Sequence, residues 1–273
     1  AAACAAAPGE VDAAPDRLAR WRARWADKLT GWHLDHVNPY LQRYLGDMVP
    51  PDKATGSLGA RVLVPLCGKA VDMAFLARRG YRVVGVEGVG LAIDAFAAEF
   101  SATGDAVRIH LPKEVDPDRF RASAMIPKAP EGEEVSVMPQ PVILVEGDFL
   151  ALGAREAAAL VPFDAAFDRG GLVAVDPGDR ERYVGALAEL VAPGGRVLLV
   201  VVEHDAFADG RLGPPFEVTE AEVRSLCRGR FDVRLLVRED LLQADAGMRA
   251  FHPVAGRLRG VSRFHECAYL LTR

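Results

Sequence analysis

Short β-branched runs alternate with segments of helical period through most of this 273-residue chain, and that alternation restricts the fold more than any other feature. RVLVPL at residues 61–66 leads into KAVDMAFLARRG, where Val71, Ala74, Phe75 and Arg78 fall at helical spacing and Gly80 stands at the expected stop. YRVVGVE (81–87) and GLAIDAFAAEF (90–100) repeat the pattern, with Ile93, Phe96, Ala97 and Phe100 as the buried stripe. PVILVEGDF gives a third strand, FDAAFDRGGL a fourth and RVLLVVVE (196–203) a fifth. Asp176-Pro177 reads as a cap and first-turn proline opening a helix that ends at Gly194-Gly195. Thr219 and Glu222 form a capping-box pair ahead of another helix. FDVRLLVRE and FHECAYLLTR close the chain as two late strands with no room for a crossover helix between them. The expected fold is therefore α/β and Rossmann-like: a doubly wound, mostly parallel sheet of seven strands, the last antiparallel, with helices on both faces.

Two stretches stand outside this alternation. In residues 16–58, Leu18, Trp21 and Trp25 share one helical face, Trp32 follows in a turn, and Pro39 starts a second helix. Three tryptophans at such spacing serve equally as core anchors for two packed helices. All three nevertheless lie within twelve residues ahead of the first strand, which suits an aromatic lid over a pocket. Residues 111–141, rich in proline and charge and without periodicity, read as a surface insertion. Residues 1–15, nearly all Ala with Gly and Pro, read as a flexible tail, leaving 16–273 as a single domain.

Composition narrows the partners. A net charge of −5 with scattered Lys and Arg argues against nucleic acid. No apolar run approaches the roughly 18 residues of a membrane span, so no membrane partner is expected. The four cysteines lie far apart with no C-x-x-C pair, so neither a disulfide framework nor a zinc site is expected. The tail lacks the regions of a secretory signal. A cytoplasmic monomer is the expectation, or an organellar protein if a transit peptide once preceded this chain.

The first strand–loop–helix unit carries the chemistry. Ligands of doubly wound folds lie beyond the carboxyl ends of the strands, where an acidic residue ending the second strand takes ribose hydroxyls. Glu87 ends that strand, nineteen residues after Gly68. The loop PLCGK offers one glycine where a pyrophosphate site needs three. That points to a nucleoside ligand without phosphates, and S-adenosylmethionine is the candidate. The bland alternative is an ordinary loop with a surface glutamate.

Several longer blocks are more specific. PLCGKAVDM (65–73), GVE (85–87), FDAAFDRGGLVAVDPGDRERY (163–183), GPPFEV (213–218), the closing ECAYLLTR and the early WADKLTGWH together resemble the thiopurine S-methyltransferase family, from about residue 21 to the end. The resemblance implies S-adenosylmethionine as methyl donor, S-adenosylhomocysteine as product and a small thiol as acceptor. It places Trp21, Trp25, Leu66, Gly68, Glu87, Asp148, Phe149 and Arg169 around the cofactor. Trp32, His33 and Phe216 fall against the acceptor, and Arg169 is the residue expected to aid catalysis. The long insertion and LLQADAGMRAF (241–251) depart from the family pattern on the acceptor side.

Other readings of these residues stay open. Arg169 could neutralise Asp168 or Asp179. Lys69 reads as a solvated lysine at a helix start, Cys67 as a packing residue, and the pair His33 and His36 lacks a third metal ligand. Related methyltransferases acting on halide, hydrosulfide, small thiols or metalloids, a nicotinamide-dependent oxidoreductase and a non-catalytic adenosyl-ligand binder are the alternative functions.

Overall fold

Nine strands form one sheet in the order β3-β4-β5-β2-β1-β6-β7-β9-β8. The computed structural model describes residues 16–50, 53, 59–102, 106–110, 120–127, 138–160, 162–207, 209–243 and 261–273. The strands are β1 (Arg61–Pro65), β2 (Arg82–Glu87), β3 (Ala106–His110), β4 (Arg121–Pro127), β5 (Val142–Glu146), β6 (Phe163–Arg169), β7 (Val191–His204), β8 (Asp232–Asp240) and β9 (Phe264–Thr272). The described α-helices are α1 (Ala19–Ala26), α2 (Pro39–Met48), α3 (Val71–Arg78), α4 (Gly90–Ala102), α5 (Ala154–Leu160), α6 (Arg180–Leu190) and α7 (Glu220–Cys227).

The centre of the sheet is parallel, β5-β2-β1-β6-β7, and its strands are buried apolar runs because helices cover both faces. One core layer holds Leu63, Val84, Phe163, Tyr183, Val201 and Tyr269. The opposite layer holds Leu41, Met48, Val62, Met73, Phe167 and Leu198. β9 runs antiparallel to both β7 and β8, as expected of the last strand.

The count of seven strands is corrected to nine. β3 and β4 pair antiparallel, and β4 pairs antiparallel with β5, extending the sheet beyond its parallel centre. β4 lies inside the segment read as a surface insertion. Its sequence, RASAMIP, has one β-branched residue and buries only Ser123, Ala124 and Met125, so no apolar alternation marks it. Residues 111–119 and 128–137 of the insertion, the tail 1–15 and residues 244–260 lie outside the described residues.

Two helix boundaries also differ from expectation. The Asp176 side chain caps nothing, because it faces Arg20 at 3.2 Å. The helix that was to end at Gly194-Gly195 stops at Leu190, and those glycines belong to β7, with Gly194 at φ 76. Elsewhere the local signals hold: Asn38 accepts from the N–H groups of Tyr40 and Leu41 ahead of Pro39, and Thr219 accepts from Glu222 N.

Candidate functional site

A cleft opens where β1, β2, β5 and β6 end, the position at which open α/β sheets take ligands. The loop after β1 turns sharply: Leu66 has φ 46 and Gly68 φ 52, both in the left-handed region. Cys67 N donates to Val86 O at 3.1 Å, tying the loop to β2. Gly68 N donates to Glu87 Oε2 at 2.9 Å, and Val89 N donates to Glu87 Oε1 at 2.8 Å. Only glycine fits at position 68, since a Cβ there would lie 2.6 Å from His33 Nε2.

Glu87 is buried, and burial raises its pKa to about 7 despite the N–H groups of Gly68, Val89 and Gly88, with Glu146 adding to the rise. Its two oxygens accept from Gly68 N and Val89 N, and a carboxylate offers about four acceptor sites in all. A ligand that donates hydroxyl hydrogen bonds therefore finds a prepared acceptor.

His33 reaches the same loop from the other side. Its Nδ1 lies 3.1 Å from Thr30 O, and its Nε2 lies 3.3 Å from Lys69 N. Those partners select the neutral tautomer with the proton on Nδ1. Burial lowers its pKa to about 4, with Lys69 and Arg169 pushing the same way. Three tryptophans then close over this corner. Trp32 meets Trp21 edge-on at 5.5 Å and Trp25 at 6.2 Å, while Trp25 meets His33 at 4.9 Å. The Arg24 guanidinium stands 4.8 Å from the Trp32 ring centre.

Arg169 ends β6 and donates from Nη1 to Trp32 O at 2.6 Å. Asp168 is engaged elsewhere: it accepts from Tyr183 Oη at 2.8 Å and from Gly171 N and Leu172 N. Asp179 faces Arg17 at 3.8 Å. Neither acid is the hydrogen-bond partner of Arg169, whose guanidinium has further N–H groups to offer the cleft. Asp148 accepts from Leu150 N at 2.9 Å and stands 3.4 Å from Arg17 Nε. Phe149 packs on Tyr183 with ring centres 5.1 Å apart.

Trp21, Trp25, Trp32, His33, Leu66, Gly68, Glu87, Asp148, Phe149 and Arg169 all line this one cleft. Phe216 is not among the lining residues, although Pro214, Pro215 and Arg20 beside it are. Its N–H donates to Val173 O at 2.7 Å, and its ring sits between the guanidinium groups of Arg20 and Arg180, each 5.9 Å from the ring centre.

The sequence reading missed other lining residues, among them Arg17, Asp72, Val202, Phe264 and Glu266. Asp72 is buried and accepts from Asn38 N at 2.8 Å, joining the starts of α2 and α3. Its place at the first turn of α3 was the available signal. Phe264 and Glu266 sit on the last strand, and no local signal placed them here.

The donor set suits an adenosyl ligand with no phosphate. Glu87 is placed for hydroxyl groups, the Gly68 loop approaches closely, and Lys69 is paired with Glu99 at 2.5 Å. Arg17 Nη1 is buried in the cleft wall without a hydrogen-bond partner, so one donor there awaits an acceptor. Cys67 is no candidate nucleophile, since burial and then the Glu87 charge raise its pKa well above the ordinary thiol value. Among the described residues no cluster of three or more His, Cys, Asp or Glu could hold a metal ion, and no helix is long and apolar enough to cross a membrane.

The family model described as Thiopurine S-methyltransferase (TPMT) matches residues 17–273. A protein of Pseudomonas aeruginosa (strain UCBPP-PA14) named thiopurine S-methyltransferase is 34% identical over 257 residues, spanning 93% of this chain and 97% of that protein. One of the same name from Nitrosospira multiformis is 32% identical over 253 residues, spanning 92% and 96%. In fold, the chain is similar to Burkholderia thailandensis 1,6-didemethyltoxoflavin-N1-methyltransferase, solved with bound 1,6-didemethyltoxoflavin and S-adenosylhomocysteine. The TM-score is 0.54 at 20% identity, covering 98% of this chain and 93% of that one.

Proposed function

The chain belongs to the thiopurine S-methyltransferase family, and from that premise we propose that it transfers a methyl group from S-adenosylmethionine to a small thiolate, such as a thiopurine or another heterocyclic or aromatic thiol. The observation that carries this reading is the cleft itself. A buried Glu87 beside the Gly68 loop, a tryptophan cover and Arg169 meet in one place.

When bound, S-adenosylmethionine supplies a methyl group already activated on a sulfonium, so the protein needs no nucleophile of its own. Glu87 accepts the two ribose hydroxyls, and the Gly68 backbone gives the ligand close approach. Asp148 and Phe149 border the base. Trp21, Trp25 and Trp32 exclude water from the corner that His33 braces, which favours a step in which charges are annihilated. Arg169 turns its remaining N–H groups to the acceptor sulfur and favours its anion, lowering the thiol pKa where transfer occurs.

Calorimetric titration with S-adenosylhomocysteine, followed by S-adenosylmethionine and 6-mercaptopurine with a methyl-transfer readout, tests each part. Glu87→Ala is expected to weaken S-adenosylhomocysteine by about 2 kcal/mol or more. Arg169→Ala is expected to lower turnover of weakly acidic thiols most. Unchanged turnover in Arg169→Ala removes the electrostatic part, and absence of adenosyl binding by folded protein removes the whole reading.

A further inference from the structure

The end of the cleft farthest from Glu87 has its own chemistry. β7, the 214–215 turn and β9 contribute Val200, Val202, Pro214, Pro215, Phe264 and Glu266 to the lining. Glu266 is the one charged residue among these six, and it is buried, at 7% exposure. Its direction follows from register. Glu266 is paired with Val202, and residues directly opposite in an antiparallel pair point to the same face. Val202 and, two residues earlier, Val200 line the cleft, so Glu266 faces it with them.

Its distance from the ribose end follows from topology. Glu87 ends β2, and β9 lies four strand spacings away through β1, β6 and β7. At about 4.8 Å per spacing that is roughly 19 Å. Glu266 therefore belongs to the part of the cleft beyond Arg169, where an acceptor enters.

A second acid stands beside it. Glu239 of β8 is paired directly with Glu266, and its Oε2 accepts the Tyr40 hydroxyl at 2.5 Å. The Tyr40 hydroxyl is held protonated, first by burial and then by the Glu266 and Glu239 carboxylates. The four lining arginines are Arg17, Arg20, Arg24 and Arg169. The part of the cleft around Glu87 thus carries the tryptophans and mutually paired charges, Arg17 with Asp148 and Asp179 and Arg20 with Asp176, whereas the far part is apolar with a single acid at its limit.

We propose that Glu266 selects the methyl acceptor, binding a cationic or N–H-donating group that the acceptor carries remote from its sulfur and turning away acceptors that carry a carboxylate there. A like charge brought against a buried carboxylate costs several-fold to many-fold in affinity, whereas an N–H or ammonium group gains a charge-assisted hydrogen bond. The inference rests on the cleft being a methyl-transfer site, yet its test separates the two.

Three matched arylthiols, 4-(aminomethyl)thiophenol, thiophenol and 4-mercaptobenzoate, are titrated into the full-length protein saturated with S-adenosylhomocysteine. The same three are then offered as acceptors with S-adenosylmethionine. The amine is expected to bind at least about tenfold more tightly than the carboxylate, and Glu266→Gln to remove most of that ratio. A wild-type protein that binds the carboxylate as well as the amine overturns the proposal. So does a ratio that survives Glu266→Gln. If the ratio is found but no thiol is methylated, the selection by Glu266 stands and thiol transfer fails.

Discussion

The two helices ahead of the sheet have adjacent sequences and opposite physics. α2 is capped by Asn38, opens on Pro39, and buries Tyr40, Leu41 and Met48 against the sheet. α1 has no side-chain cap and no buried residue. Its fastenings are ion pairs, Arg17 to Asp148 and Asp179 and Arg20 to Asp176, together with the edges of Trp21 and Trp25 on Trp32. The described part of residues 16–58, read as one lid, thus divides into a helix held at the cleft rim by charges and ring edges and a helix that belongs to the core. Apolar burial is insensitive to salt and strong, whereas partly exposed ion pairs contribute little each and are screened.

The sharpest way to break this comparison is to weaken α2 and leave α1 alone. Leu41 is fully buried, so Leu41→Ala is expected to lower unfolding free energy by about 2–5 kcal/mol, read from the urea midpoint at unchanged slope. A loss under about 1 kcal/mol would mean that α2 is as loosely held as α1.

Most of the frame was legible in the sequence, and the exceptions share a cause. β1, β2, β5, β7 and β8 announce themselves as valine- and isoleucine-bearing runs, and β6 and β9 as aromatic and apolar runs bounded by turn residues or the chain end. β4 is an outer strand of small and polar residues, and α5, AREAAAL, is alanine-rich and carries no apolar stripe. In both, tertiary placement rather than local pattern decides the element. The cleft divides in the same way. Gly68 and Glu87 were read from loop chemistry at strand ends and Arg169 from the family resemblance, and all three line the cleft. Glu266 escaped because only its pairing with Val202 turns it toward the cleft. Phe216 is tied by its N–H to Val173 O, a contact that no spacing reveals, and Pro214 and Pro215 line the cleft beside it.

The joint between the two helices gives a smaller, pH-dependent effect. Burial, above all, lowers the His33 pKa from its ordinary 6.5 to about 4 in the folded protein. A depressed folded pKa means that the unfolded chain binds more protons between these values. Stability is therefore fully present above about 6.5 and is lost as pH falls toward 4, by about 2 kcal/mol after allowance for partial exposure. Glu87, raised to about 7, and Asp168, raised to about 6, act in the opposite sense, since burial of each favours its protonated form. Their contribution is common to wild type and His33→Gln, so the difference between the two urea-midpoint profiles isolates His33. Parallel profiles from pH 7 to pH 4.5 would place His33 in solvent and detach the joint from the loop.

The smallest effect is the one that defines how α1 is held. Arg20 and Asp176 are 3.2 Å apart with side chains 41% and 50% exposed, so their pair contributes under about 1 kcal/mol. Arg20→Met keeps much of the side chain's bulk over Trp21 and Phe216 while removing the charge. The urea midpoint is expected to stay within about 0.5 kcal/mol of wild type, because α1 contributes almost nothing to the core. Ligand affinity is the sensitive readout, since Arg20 and Asp176 both line the cleft. S-adenosylhomocysteine is expected to bind about two- to fivefold more weakly to Arg20→Met at low salt, with the gap narrowing as ionic strength rises and screens the wild-type pair. A gap that persists in high salt would mean that the guanidinium acts on the rings beneath it rather than on Asp176, and the hold on α1 would then be aromatic rather than ionic.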